Sequence, residues 1–277
     1  ERNVNVLGLN GGDGTLHAVI NRLMTLKQQT EDQSALSLPL PKLLFLNGGT
    51  LNIVSRATGT KGNVLRTVKN FLKHTNGATL GQIETQEVRL IRVQTGQDEI
   101  KYGFVFGTEL VANALEMYSL FGEGYTGLIR LLTEVTLGYQ LHSRLWQEHG
   151  WKLNPPTTPI SIDQITYPQY CASVAATIDL SLIKGVLSAI QVPPDSTGFY
   201  TKCILETDPG RLIGLIPRLM TGKSHEKVQD FPEAQQIQAF GGYTLDGECF
   251  LDRSSVGQPS PLLVDQAPTP IHAVRLD

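Results

Sequence analysis

The sequence predicts an α/β domain followed by a β-rich domain, and three observations lead there. Strand-like and helix-like periods alternate through the first 82 residues. Within that stretch the tetrapeptide Leu-Asn-Gly-Gly occurs twice, at Leu9–Gly12 and Leu46–Gly49, each time after a short apolar run. After Ile83 the rhythm changes, and from about Tyr170 to the end short apolar segments broken by glycine and proline dominate. At 277 residues the chain is long enough to bury a substantial core in one large domain or two ordinary ones.

Asn3–Leu9 (NVNVLGL) is Val-rich and short, as a buried parallel strand requires. From Thr15 onward Leu16, Val19, Ile20 and Leu23 fall at i, i+3, i+4 and i+7, the stripe of an amphipathic helix that fades near Gln29. A polar, Pro-marked loop follows, and Lys42–Leu46 (KLLFL) is the second buried strand. Leu51–Ala57 reads as a short helix stopped at Gly59. Val64, Leu65, Val68, Phe71 and Leu72 then trace another helix face, closed by Asn76-Gly77. A strand-helix-strand unit of this length forces its two strands to run parallel in one sheet.

Beyond residue 82 the segments EVRLIRV and KYGFVFG flank a Thr95–Asp98 turn and read as a hairpin. One helix is expected, with Leu128, Leu131, Leu132 and Val135 on a face, and residues 155–170 read as an exposed loop. The boundary is therefore placed near residue 82, giving domains 1–82 and 83–277.

Composition narrows the function. With 40% hydrophobic and 18% charged residues the chain reads as soluble and globular. Its most apolar regions are interrupted by Arg130 and Glu134, or by Asp179 and Lys184, so contact with lipid is expected to be peripheral. Cys171, Cys203 and Cys249 stand far apart, without a C-x-x-C pair or clustered histidines. Neither a disulfide framework nor a zinc site is suggested, and a reducing, cytoplasmic setting is expected. The net charge of −3 divides into +5 over residues 1–82 and −8 over the rest, and a positive first domain suits an anionic ligand such as a nucleotide.

In an open parallel sheet, ligands bind beyond the carboxyl ends of the strands, where loops enter helix N-termini. Glycines there let backbone N–H groups approach a phosphate, and the helix dipole adds about half a positive charge. Two neighbouring Leu-Asn-Gly-Gly turns would set two such sites side by side, enough for one nucleotide. The alternative reading is that the glycines only serve tight turns at positive φ. Neither the dinucleotide fingerprint nor a P-loop fits: His17 stands where the former needs its third glycine, and Pro217 where a P-loop ending at Gly222-Lys223-Ser224 needs its first. Asp246 and Glu248, at i and i+2 around Gly247, would point the same way in an extended segment; a solvent-exposed turn is the other reading.

These residues resemble a known family. GGDGTLHAVINRL is similar to the signature of the diacylglycerol kinase catalytic domain, shared by bacterial diacylglycerol kinases, sphingosine and ceramide kinases and, more distantly, NAD kinases. GGTLNIVSRATG resembles that family's second nucleotide loop, YTLDGECFL its late Asp-Gly-Glu motif, and FVFGTELVANALEMYS with YTGLIRLL the opening of its second domain. The resemblance implies a Rossmann-like first domain, a β-sandwich second domain, and an ATP- and Mg²⁺-dependent lipid kinase working in the cleft between them. It implies that Gly11, Gly12, Gly14 and Thr15 cradle the phosphates, and that Gly49, Thr50 and Asn52 line the nucleotide. Asp13 would accept the proton of the lipid hydroxyl or position that hydroxyl, Asp246 and Glu248 would act through Mg²⁺ or as an alternative base, and Arg130 would contact phosphate. The implied partners are ATP, a lipid such as diacylglycerol or a sphingoid lipid, and a membrane surface touched from the cytoplasm. No nucleic acid is implied, and a homodimer is compatible with the family. Phe104, Phe106, Leu110, Leu115, Met117 and Tyr118 are candidates for a lipid-tail channel, with plain core as the alternative.

Three departures stand out. His17-Ala18 replace the family's usual Asn-Glu, with His17 expected as a polar substitute on the helix and not as a metal ligand. Asn52-Ile53 replace the Asn-Asp pair of many bacterial members. The family's opening strand, with its Asn-Pro-x-x-Gly contact, has no counterpart, so the sheet is expected to lack one or two strands and the chain to be part of a longer protein. An NAD kinase-like enzyme and a non-catalytic nucleotide- or lipid-binding member remain the alternatives.

Overall fold

The computed structural model describes residues 4–34, 39–49, 52–60, 62–76, 83–96, 99–122, 124–183, 187–193, 196–250 and 259–276. The chain starts with β1 (Val6–Gly11), α1 (Asp13–Ser34) and β2 (Lys42–Asn47), then α2 (Ile53–Ala57), α3 (Val64–Thr75) and β3 (Thr85–Val88). β1 and β2 pair in parallel with Leu9 opposite Phe45, as the crossover requires. Alternate residues of β2 serve opposite faces. Leu43 and Phe45 pack with Leu16, Ile20 and Met24 of α1, while Leu44 and Leu46 pack with Val64, Val68 and Phe71 of α3. Leu65 and Leu72, expected on that packed face, instead point outward, because a helix lying on a sheet buries one stripe and theirs is on the far side.

The second domain opens with β4 (Ile91–Thr95), β5 (Ile100–Gly103) and β6 (Val105–Thr108). A helical cap follows: α4 (Glu109–Tyr118), α5 (Gly124–Thr133), a π turn (Glu134–Gly138), α6 (Tyr139–Leu141) and α7 (Arg144–His149). Next come β7 (Ile160–Ile162), β8 (Ile165–Tyr167), β9 (Ala172–Ala176), β10 (Leu180–Ile183), β11 (Leu187–Ile190) and β12 (Phe199–Ile204). After α8 (Pro209–Met220) the chain closes with β13 (Val228–Ala234), β14 (Gln236–Phe240), β15 (Tyr243–Leu245), β16 (Glu248–Phe250), β17 (Pro261–Gln266) and β18 (Ile271–Val274).

Two six-stranded sheets, ordered β13-β12-β9-β6-β15-β16 and β5-β4-β17-β14-β7-β8, share one apolar core. Ile91, Val93, Phe106, Ile160, Ile162, Phe199, Ile237, Tyr243 and Val264 fill it from both sides, which makes a sandwich. Residues 155–170, expected as an exposed loop, contain the β7–β8 hairpin, whose Ile160 and Ile162 are fully buried. Its turn residues, Asp163 and Gln164, both adopt positive φ. α8 was not foreseen, although Asp208 caps it through Arg211 N and Pro209 opens it.

The sheet of the first domain runs β1-β2-β18-β3. β18 comes from the end of the chain, lies parallel to β2 and antiparallel to β3. Residues 85–88 and 271–274, on the far side of the expected boundary, thus join the first sheet, and the sandwich is inserted between them. Phe104, Leu90, Ile178 and Ala267 pack with the α1–β2 core, so the two domains meet through a continuous apolar seam. Among the described residues no helix is long and apolar enough to cross a membrane.

Candidate active site

The two Leu-Asn-Gly-Gly turns end adjacent strands and touch backbone to backbone. A Cβ on Gly49 would overlap the Cα of Gly12, and neither glycine has positive φ. Close approach, and not turn conformation, is why glycine stands at position 49, whereas a Cβ on Gly12 would meet Gly49 Cα at an ordinary 3.5 Å. Gly12 O accepts from Leu16 N, starting α1, and the main-chain N–H groups of that first turn have no partner within the helix. With Gly14 and Thr15 in that turn, the N-terminus of α1 is a candidate anion site.

Asp13 joins the two loops. Its Oδ2 accepts from Ile53 N and its Oδ1 from Val54 N, each at 3.1 Å, so a residue of α1 caps α2 across a separation of 40 residues. Asn52, in the left-handed conformation at φ 50°, gives α2 no side-chain cap. Its amide instead clamps Gly49, accepting from Gly49 N at 2.8 Å and donating to Gly49 O at 2.6 Å. Burial, the largest cause, pushes the Asp13 carboxyl above the usual carboxylate range. The two backbone donors and Arg56 pull it down, while nearby Asp246 pushes it up.

The Asp-Gly-Glu segment is a hairpin turn and not the extended stretch one reading expected. Leu245 pairs with Glu248, and Asp246 and Gly247 between them have φ of 53° and 88°, the two-residue primed turn that Asp-Gly favours. The two acids consequently part company. Asp246 turns inward, its side chain 1% exposed. Its Oδ1 accepts from Phe104 N at 2.8 Å and Val105 N at 2.9 Å, and its Oδ2 lies 3.3 Å from His17 Nδ1. So engaged, Asp246 pins the strand crossing between the domains to α1. Glu248 stays exposed, with no hydrogen bond or ion pair among the described residues, and its carboxylate lies where a Cβ on Gly14 would be. An acid from the second domain therefore faces the N-terminus of α1.

Residues 1–83 match the family described as the diacylglycerol kinase catalytic domain. The match spans the opening strands and helices of the first domain. A solved structure titled "putative diacylglycerol kinase from Bacillus anthracis str. Sterne" has the same two-domain fold: 17% identity, TM-score 0.57, covering 98% of this chain and 78% of that one. A second diacylglycerol kinase structure from the same organism aligns at 15% identity and TM-score 0.49, over 98% of this chain and 75% of that one. Comparison with curated proteins finds no match.

Within this diacylglycerol kinase fold, Gly11, Gly12, Asp13, Gly14, Thr15, Gly49 and Asn52 gather at the carboxyl ends of β1 and β2, with Glu248 opposite. Thr50 lies outside the described residues. Arg130 is not brought to the loops; it is exposed on α5, which packs against α4 in the helical cap. Of the tail-channel candidates, Phe106 belongs to the sandwich core and Phe104 to the domain seam, both fully buried. Met117 and Tyr118 pack beneath the cap, while Leu110 lines a cavity of about 270 Å³. That cavity is almost wholly apolar, walled also by Leu131, Val135, Trp146, Ile213 and Ile216.

Two residues make contacts that the sequence reading missed. His17, expected as a polar substitute on the helix, is buried against Asp246 and, with its proton on Nδ1, donates across the domain boundary. Asn21, one turn on, satisfies the backbone of β5 by donating to Tyr102 O at 2.7 Å and accepting from Tyr102 N at 2.8 Å. Both sit on one face of α1, a turn apart, and that polar pair on an otherwise apolar stripe was the available signal.

Proposed function

We infer that the protein is an ATP-dependent lipid kinase, transferring the γ-phosphoryl group to a hydroxyl of a lipid such as diacylglycerol or a sphingoid lipid. The observation that carries this is the backbone contact of two glycine turns at helix N-termini, faced by an unpaired carboxylate from the other domain. Phosphoryl transfer asks a protein chiefly to position the phosphates and offset charge on the transferred group. The first-turn amides of α1 do both without reorganising.

In the reaction the lipid hydroxyl oxygen attacks the γ-phosphorus, the bond from that phosphorus to the β,γ-bridging oxygen breaks, and ADP leaves with the bond's electrons. The hydroxyl proton passes to Asp13. Each Asp13 oxygen keeps a lone pair beyond its one backbone bond, and an upward-shifted carboxyl is a stronger base at neutral pH. Asp246 acts as a positioning residue through His17 and the 104–105 peptide.

Among the described residues no three His, Cys, Asp or Glu side chains converge as a metal site. Mg²⁺ does not require such a cage, since it is commonly held by one or two carboxylates together with substrate phosphates. Glu248, unpaired beside the anion site, fits that role. Bound there, Mg²⁺ would supply charge neutralisation on the β- and γ-phosphates. The apolar cavity across α4 from the β15–β16 hairpin suits an acyl chain, because its wall offers hydrocarbon and almost no polar surface.

The test is ADP release from ATP and Mg²⁺ with diacylglycerol, sphingosine, ceramide and NAD as acceptors. Turnover with a lipid supports the reading, and turnover with NAD alone replaces it by an NAD kinase. ATP binding without turnover on any acceptor, in the full-length protein, replaces it by a non-catalytic role.

A further inference from the structure

The first domain carries a second amphipathic surface that the cleft does not use. The inner stripe of α3, with Val64, Val68 and Phe71, is packed on the sheet. On the outer side Leu65 is 64% and Leu72 59% exposed, seven residues and therefore about 10 Å apart on one face. Arg66, Lys69 and Lys73 are exposed beside them, all five within an arc of about 120° at 100° per residue. None of the three cations has a hydrogen-bond or ion-pair partner among the described residues, and the sequence contains no Asp or Glu between Asp32 and Glu84. The outward face is thus cationic and apolar together, and no acid among the described residues pairs with its cations.

We propose that this face of α3 docks the protein on an anionic lipid bilayer. Charge sets the sign of the partner, and the leucines set its nature. Apolar side chains ringed by long cations suit the headgroup boundary, where leucines enter the acyl region and lysine and arginine stems lie along it with their charges in water. A twelve-residue helix is only about 18 Å long and cannot alone offer the roughly 800 Å² per partner of a stable protein interface. A membrane needs no such area, because binding accumulates over a few basic and apolar side chains. The choice of a bilayer rests on the lipid-kinase reading, since the acceptor of that reaction resides in one.

The experiment is co-sedimentation of the full-length protein with vesicles of phosphatidylcholine alone or containing phosphatidylglycerol. Wild type binds the anionic vesicles, and raising the salt weakens it. The Arg66→Gln/Lys69→Gln/Lys73→Gln variant binds about a hundredfold more weakly, near fivefold for each cation removed. Leu65→Gln/Leu72→Gln loses the salt-resistant part. Both variants keep the wild-type melting temperature, since all five side chains are exposed. Both also keep turnover of a short-chain diacylglycerol dispersed in solution. Vesicle binding unchanged in both variants overturns the proposal, as does wild type that ignores anionic vesicles but self-associates through this face. Vesicle binding lost in the variants, with no lipid turned over by wild type, removes the kinase reading and leaves the docking face standing.

Discussion

Leu9–Gly12 and Leu46–Gly49 share four residues and end neighbouring parallel strands, yet they enter their helices differently. The first runs straight into α1, a helix of 22 residues whose buried stripe anchors it. The second reaches α2, only five residues long, through Asn52 in the left-handed conformation. So short a helix is not stable alone. It is held from outside: Asp13 caps it, Asn52 clamps the turn before it, and Ser55 Oγ donates to Asn47 Oδ1 at 2.5 Å. The same tetrapeptide is therefore self-supporting in one copy and dependent in the other. What the pair teaches is that the anion site is one object, assembled around Asp13, and not two repeats of one device.

The asymmetry can be broken most severely at the glycines. Gly49→Ala places a Cβ on the Gly12 backbone and should cost about 3 kcal/mol, the upper end for overpacking. Gly12→Ala meets Gly49 Cα at 3.5 Å, an ordinary contact, and should cost well under half of that. Denaturant unfolding of the two variants compares them; equal costs would show that the loops do not touch as described.

A smaller effect is expected at the bridge. Asp13→Asn leaves one acceptor oxygen for two backbone donors and should cost about 1 kcal/mol, the net worth of one hydrogen bond. Its pH dependence has a definite sign. Because the folded pKa of Asp13 is raised, the folded state holds the proton more tightly than the unfolded chain does. The stability linked to that proton is fully present below the unfolded carboxylate value of about 4 and is lost as pH rises through the folded pKa. Wild type should therefore lead Asp13→Asn by most in acid, and the lead in melting temperature should shrink from pH 4 upward. A lead that grows with pH contradicts the assignment.

A difference no larger separates two substitutions at Asn52. Ala loses both bonds to Gly49 and also strains a positive φ, whereas Gly loses only the bonds. Asn52→Ala should be less stable than Asn52→Gly by about 1 kcal/mol, the usual cost of a non-glycine residue in the left-handed region. The order reversed would mean that the turn relaxes out of that conformation.

Much of the first domain was legible because its signals are local. Apolar spacing placed α1 and α3, and the crossover dictated the parallel β1–β2 pair. What escaped depends on partners distant in sequence. β18 is an unremarkable apolar tetrapeptide until β2 and β3 accept it, nearly 230 and 190 residues away. Nothing local to Asp13 says that its carboxylate serves another helix, or that His17 meets Asp246 across 229 residues. The Asp-Gly turn is the contrary case: its signal is local, and a turn is one of the two readings the triplet allows. In the structure Asp246 is spent on holding the domains and Glu248 alone faces the anion site. Leu65 and Leu72 show a similar limit, since a helix face read from spacing can be half a turn too wide when only one stripe meets the sheet.

The most direct measurement is turnover of a short-chain diacylglycerol by Asp13→Asn, with ATP affinity determined on the same protein. With Asp13 as the proton acceptor, kcat falls at least about a hundredfold, the lower bound for losing a general base, while ATP binding stays within a few-fold of wild type. Turnover at the wild-type rate would contradict the account.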